Sequence, residues 1–201
     1  MSRYTEPKNK LARAIGEDLG LKRNGLKVAR RLAIRPGQHG VKGRRKVSDF
    51  GTQLREKQKV KFIYGLGEKQ LFAIYHEASK SVTATGSTII TLLERRLDNV
   101  LYRLGFAPTR AAARQMINHG HVCVNQKKVS IPSYRVRRDD VINLNDKALK
   151  IPVIKELMAD LPNPPAWIER KQAVAKIVRF PVRTDVQEPI MEQLVVEYYS
   201  R

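Results

Sequence analysis

The sequence predicts an α+β protein: a mainly helical body with an inserted small α/β module, two helices plus a short twisted sheet. Three observations predict it. Helical spacing of apolar residues, punctuated by capping residues and glycines, recurs between Thr5 and Gly120. Two-residue alternation takes over from His121 to Leu144. The net charge of +20 over 201 residues is unevenly spread: residues 1–50 carry 14 basic against 4 acidic side chains, 92–145 carry 10 against 4, and 146–201 carry 9 against 8. A field of that size favours a polyanion at the front and middle of the chain and leaves the tail suited to scaffolding or protein contact.

The elements follow in order. A first helix is expected after Thr5, with Pro7 in its first turn, Leu11, Ile15 and Leu19 four apart, and Gly20 as its stop. A basic stretch of weaker periodicity, Lys22 to Arg35, ends at the turn-rich Pro36-Gly-Gln-His-Gly40, and Val41 to Lys46 is a short cationic loop. Ser48 caps a helix through about Ile63, closed by Tyr64-Gly-Leu-Gly67. Glu68 begins the next, with Leu71, Phe72, Tyr75 and Ala78 on one side. A helix from Gly86-Ser87 through Leu104, closed by Gly105, buries Ile89, Leu93, Leu97, Val100, Leu101 and Leu104 and leaves Arg95, Arg96, Asn99 and Arg103 mainly off that stripe.

Thr109 then caps a helix from Arg110 to His119, ended by Gly120, on which Arg110 and Arg114 share a face at roughly the spacing of adjacent phosphates. His121 to Asn125 alternates as a strand, Gln126-Lys127 turn, and a return strand starts at Lys128. Tyr134 to Arg137 alternates again, Arg138-Asp-Asp140 turn, and Val141 to Leu144 is the final strand. Pro152 to Pro165 holds one short helix and a proline run, Trp167 anchors that loop on the domain surface, and the apolar ending from Pro189 docks. The expected division is 1–91, a basic helical region; 92–155, the module; and 156–201, a segment packing back on the helical body.

No run of about 18 apolar residues is present, so no membrane span is expected. The start lacks the apolar core of a signal peptide, and a single cysteine, Cys123, excludes an internal disulfide and a multi-cysteine zinc site. The expectation is a cytosolic protein without membrane or small-molecule partner. His119 and His121 lack a third ligand, so hydrogen bonding is expected of them rather than metal binding. Cys123 sits in strand alternation with Val122 and Val124, where a packed, inert thiol is the default. For Arg95, Arg96, Arg110 and Arg114 two readings stand side by side, contact with RNA phosphates or local ion pairs with Glu94 and Asp98. Asp98 is expected to orient an arginine rather than to meet RNA, which would repel it.

Leu92-Leu-Glu-Arg-Arg-Leu-Asp-Asn99, Tyr102-Arg-Leu-Gly-Phe-Ala107, Thr109-Arg110, Ala113-Arg-Gln115, His119-Gly-His121 and Val124-Asn125 resemble the RNA-binding module named after small-subunit ribosomal protein S-four. Arg3-Tyr4, Pro36-Gly-Gln-His-Gly40, Leu54-Arg-Glu-Lys-Gln58, Tyr64-Gly65, Glu68-Lys-Gln70, Ile131-Pro-Ser-Tyr134 and Val196-Glu-Tyr-Tyr-Ser-Arg201 extend the resemblance to that ribosomal protein family along nearly the whole chain. It implies a bacterial-type structural protein, not an enzyme, that binds small-subunit rRNA at a helix junction of the 5′ domain and nucleates assembly of the subunit body. It also implies contacts with ribosomal protein S-five and other small-subunit proteins, a place near the channel through which mRNA enters, an influence on translational accuracy, and a cytoplasmic location. Pseudouridine synthases and a stress protein share the module, but the former need a separate catalytic domain and the latter leaves residues 1–91 unexplained.

Resemblance and charge together nominate the residues that meet rRNA. In the front region these are Arg3, Lys22, Arg23, Arg35, His39, Arg44, Arg45 and Lys46, then Gln53, Arg55, Lys57, Gln58 and Lys69. In the module they are Arg95, Arg96, Arg103, Thr109, Arg110 and Arg114, then Gln115, His119, His121, Asn125, Lys127 and Lys128. Arginine suits the task because its planar fork bridges phosphate oxygens and stacks on unpaired bases. Many family members bind zinc through four N-terminal cysteines; Lys8 to Arg35 contains none, so neither metal nor cofactor is expected. Gln126 stands where a glycine usually follows the hairpin asparagine, and Asp139-Asp140 replaces the usual Gly-Asp.

Overall fold

A computed structural model describes residues 4–40 and 46–201. It is α+β, and it divides into two compact units: the described residues up to Ile89 together with Glu188–Arg201, and Ile90–Gln187.

The first unit is helical. Helix α1 (Lys8–Ile15) buries Ala12 and Ile15 and ends at Gly16, whose φ of 81° is readily reached only without a side chain. Gly16 therefore stops the helix a turn before Gly20. Leu19 is still buried, so the apolar spacing outlasts the helix that would explain it. Short helix α2 (Gly25–Ala29) starts under Asn24, whose side chain accepts from the Lys27 amide. The guanidinium of Arg13 donates to the Ile34 and Arg35 carbonyls at 2.7 and 2.9 Å, tying the Pro36–Gly40 turn to α1.

Helix α3 (Asp49–Ile63) has the expected cap, with Ser48 Oγ accepting from Gly51 N at 3.2 Å. It packs against α1 and against the last helix, α10 (Glu192–Tyr199), so polar residues on both flanks are buried in pairs. Gln53 donates to Glu197 at 3.0 Å, Lys59 meets Glu17 at 2.6 Å, and Glu56 accepts from the Met191 amide at 3.1 Å. Helix α4 (Glu68–Ala78) buries Leu71, Ile74 and Ala78. Phe72, expected on that inner side, is instead 51% exposed, because the buried arc runs through Ile74, Ala78 and Leu71 and Phe72 lies about 100° beyond its edge.

Helix α5 (Thr85–Glu94) runs from the first unit into the second and does not continue to Leu104. Arg96 turns extended (ψ 137°), bridges to Arg135, and a separate helix α6 (Leu97–Arg103) begins. The cause is long-range: the amides of Leu97 and Asp98 donate to the carbonyls of Tyr134 and Pro132 instead of one turn back. Thr109 Oγ1 accepts from the Ala112 amide at 3.2 Å and caps α7 (Arg110–Asn118), which packs on α6.

The sheet is antiparallel, in the order β2-β1-β3-β5-β4: β1 (Val122–Val124), β2 (Lys127–Lys128), β3 (Val141–Leu144), β4 (Ile168–Lys171) and β5 (Val174–Ile177). The β1–β2 turn is Asn125-Gln126, one residue earlier than expected, and both have positive φ (50° and 64°). Tyr134 to Arg137 contributes a single bridge rather than a strand. Helices α8 (Asp146–Leu149) and α9 (Pro152–Ala159) follow β3.

Two corrections concern the stretch after residue 155. The β4–β5 hairpin joins β3, so the second unit extends to Gln187 and only Glu188–Arg201 returns to the first. Trp167 is fully buried in the core with Leu101, Ile117, Ile142 and Ile177 rather than lying on the surface. A ring that large gains more from burial than the loop reading allowed.

Candidate nucleic-acid interface

The arginines of α6 and α7 turn inward. Arg96 places its fork on Asp98 at 3.1 and 2.9 Å, and Arg114 reaches the same carboxylate at 2.7 Å. Arg103 forks onto Glu94 at 2.9 and 2.8 Å. Asn99 donates to Glu94 at 2.8 Å and accepts from Arg110 at 2.7 Å, while the Arg110 guanidinium lies over the Tyr102 ring at 4.3 Å. Glu94 and Asp98 are 0% and 2% exposed, Arg96 and Arg110 only 6% and 7%. Arg95 donates to the Val136 carbonyl and stacks over Phe180 at 4.2 Å.

The ion-pair alternative describes Arg96 and Arg114, which meet Asp98, whereas Arg110 meets Asn99 and Arg95 the Val136 carbonyl. Arg110 and Arg114 do share a face, but Arg110 Nε is turned onto α6, where the buried Asn99 carbonyl would be costly to leave without its donor. Three guanidinium groups meet two carboxylates and a fourth, Arg110, joins them through Asn99, so the network keeps a positive excess beneath α7.

The solvent side of α7 is formed by Ala111, Gln115 and Asn118, with exposed His119 at its C-cap. Lys127 and Lys128 are exposed on the hairpin beside it, and the Lys128 chain crosses Gly120, where an added Cβ would overlap Lys128 Cε. His121 is half-buried with Nδ1 unpartnered, and its ring centroid lies 6.0 Å from that of His119. Thr109 is occupied as a cap. Asn125 acts as a clamp: its amide donates to Asp140 at 2.8 Å, and its carbonyl accepts from the Val141 amide at 2.9 Å.

In the first unit Lys22, Arg23, Arg35, His39, Lys46 and Lys69 are exposed. Gln53, Arg55 and Lys57 are instead drawn into the packing of α3. Arg55 donates to the Ile15 carbonyl, and Lys57, 3% exposed, pairs with Glu68 at 2.8 Å and lies 4.6 Å over the Tyr198 ring. Gln58 is half-buried. Arg3, Arg44 and Arg45 lie outside the described residues. Exposed basic residues that were not nominated include Lys27, Arg30 and Arg31 in the first unit, and Arg137, Arg138, Lys171 and Lys176 in the second. The charge run from Lys22 to Arg35 carried a signal for the first three.

Glu68 is the hub of a second polar cluster, accepting from Lys57, from Lys61 at 3.1 Å and from the Tyr199 hydroxyl at 2.9 Å. Burial alone would raise its carboxyl, but these three hydrogen bonds together hold it below the usual carboxylate range. Burial, then the bond to Glu68, pushes Tyr199 well above the usual phenol range. This fixes α10 on α3 and α4.

Comparison with known proteins covers the whole chain. Residues 3–94 match the family described as Ribosomal protein S4/S9 N-terminal domain, and residues 95–142 match the S4 domain. Small ribosomal subunit protein uS4 of Methylobacillus flagellatus is 49% identical over 209 aligned residues, which take in 100% of this chain and 98% of that protein. The proteins of the same name from Brevibacillus brevis and Streptococcus agalactiae are each 46% identical, covering 100% of this chain and 100% and 99% of theirs.

Proposed function

Because this chain belongs to the small ribosomal subunit protein uS4 family, a family of structural ribosomal proteins rather than enzymes, we propose that it binds small-subunit rRNA directly and nucleates assembly of the subunit body. Its site is a helix junction of the 5′ domain, and its place is the cytoplasmic small subunit. The observation that carries the reading is the full-length family match, joined to exposed basic residues in both units.

The RNA surface is composed of residues that reach solvent: Lys22, Arg23, Arg35, His39, Lys46 and Lys69 in the first unit, and Gln115, His119, Lys127 and Lys128 in the second. Arg96, Arg103, Arg110 and Arg114 contribute by positioning α7 and by lending it a positive field. Junction RNA is met mainly through backbone and shape, so affinity depends on salt.

The near-neutral tail is assigned to protein contact, with ribosomal protein S-five as its partner, close to where mRNA enters, and through it an influence on accuracy. Supporting this is a run of rings along α10: Phe50 lies 5.7 Å from Tyr198, Phe72 5.7 Å from Tyr199, and Phe50 and Phe72 are 47% and 51% exposed. Exposed aromatic groups beside a charged rim are common at protein interfaces.

The test is footprinting of purified small-subunit rRNA with the full chain. Stoichiometric, salt-sensitive protection confined to one junction is the expected result. Dispersed protection, or isomerised uridine in the recovered RNA, would overturn the reading.

A further inference from the structure

Apart from Lys128, one face of the five-stranded sheet lies outside the RNA surface proposed for the second unit. Alternation sends Val122, Val124, Ile142, Leu144, Ala175 and Ile177 into the core. The opposite face is aligned by register. Lys128 pairs with Cys123, Cys123 with Asn143, Asn143 with Val174 and Val174 with Lys171, forming one row across all five strands. At strand spacing that row spans about 19 Å. A second row runs from Val141 through Lys176 to Glu169. Val141 and Val174 are 37% and 44% exposed, so the described chain leaves the face open.

The end of this face is built as well. Asn125 holds Asp140, and Asp140 in turn accepts from the Arg137 amide at 2.7 Å. The two turns are thereby clasped side by side, with Arg137 exposed and the Arg138 side chain 73% exposed. Against these arginines and the three lysines stand two exposed carboxylates, Glu169 and Asp139, the latter already tied to Lys176 at 2.9 Å.

We propose that this sheet face is a second docking surface for the sugar–phosphate backbone of structured RNA, continuing from the α7 edge through Lys128. It rests on the reading of the chain as an rRNA binder. Neither row carries an aromatic ring, so unpaired bases have nothing to stack on, whereas lysines are point charges suited to phosphates. Two valines are too little apolar surface to seat a protein partner, and the basic excess suits a polyanion. RNA backbone is the occupant that fits both facts.

The test uses the full chain and purified small-subunit rRNA. Lysine acetylation is mapped by mass spectrometry in the free and bound protein, and binding is titrated across salt concentrations. Lys171 and Lys176 should be acetylated severalfold more slowly in the complex. Lys171→Gln/Lys176→Gln should lower the slope of log affinity against log salt by roughly 0.7 to 0.9 per lost contact. An unchanged slope with equal acetylation would overturn the proposal, as would an equal loss from Lys150→Gln/Lys155→Gln, which would show that only net charge matters. Protection that appears only after other small-subunit proteins are added would make the face a protein contact and overturn it too. Failure of the unaltered chain to bind rRNA would instead remove the reading beneath it, and the same titration separates the two.

Discussion

Arg110 donates from Nε to Asn99 Oδ1 at 2.7 Å, and this bond joins α7 to a line of charge that ends inside the protein. Asn99 carries it to Glu94, which is fully buried and holds the fork of Arg103. Asp98 performs the same service for Arg96 and Arg114 from the neighbouring position. Sequence positions 94, 98 and 99 thus set where α7 stands, and with it the Gln115 and His119 edge.

Arg110→Ala should therefore act first on stability. It leaves the Asn99 carbonyl buried without this donor and removes the guanidinium from the Tyr102 ring, for an expected loss of about 2 to 4 kcal/mol. Urea unfolding followed by Trp167 fluorescence reads the change directly, since the chain's one tryptophan is buried in the same unit. An unchanged midpoint would show that the network does not hold α7.

Lys22→Gln/Lys127→Gln should do the opposite. Both side chains are exposed, so the midpoint should stay within about 0.5 kcal/mol of the parent. Their loss should lower the salt slope of rRNA binding by roughly one per phosphate contact. Filter binding at several salt concentrations checks it, and a parent-like slope would remove these two residues from the interface.

That contrast also marks what was legible in the sequence. Caps were: Ser48 and Thr109 begin helices because their hydroxyls accept amides three residues on, a purely local rule. The break at Arg95-Arg96 was not, because no proline or glycine stands there and the cause is the Pro132–Tyr134 backbone, far along the chain. The β4–β5 hairpin was hidden for a related reason. Its strands are four residues each, and its turn uses Gln172 at φ 51° where a glycine or asparagine would have signalled it. The direction of the arginines was open in principle, since Glu94 and Asp98 lie close enough to pair. Periodicity locates an apolar stripe but says little about arginines at its border, whose stems can be buried with their charges matched. The exposed bases of the Lys22–Arg35 run needed no tertiary knowledge at all.

The Glu68–Tyr199 pair predicts a two-sided pH dependence for the first unit. Glu68 is depressed in the folded state, so its contribution is complete above about pH 4.5 and is lost as pH falls through its lowered value. Tyr199 is raised, so its contribution is complete below about pH 10 and is lost as pH rises beyond that. Tyr199→Phe keeps the ring against Phe72 and Tyr75 but removes the hydroxyl, and it should flatten the alkaline limb while weakening the acid one. Urea midpoints of parent and variant, taken by far-ultraviolet circular dichroism across pH, decide it. Parallel curves would mean that the hydrogen bond does not hold the C-terminal helix.

Gln126→Gly should stabilise the second unit. Asn125 and Gln126 occupy the two central positions of a tight hairpin, both left-handed, at φ 50° and 64°. Asparagine tolerates that conformation, but glutamine has no comparable local hydrogen bond to offset its Cβ strain. Gln126 is exposed, so its side chain takes little packing with it. Against the relief of strain stands the greater freedom of glycine in the unfolded chain, which offsets part of the gain. The net expectation is an increase of about 0.5 to 1 kcal/mol, visible as a higher urea midpoint at Trp167. The rRNA affinity should be unchanged, because Lys127 and Lys128 keep their register with Val124 and Cys123. A lower midpoint would mean that the Gln126 side chain makes a stabilising contact worth more than the strain it brings.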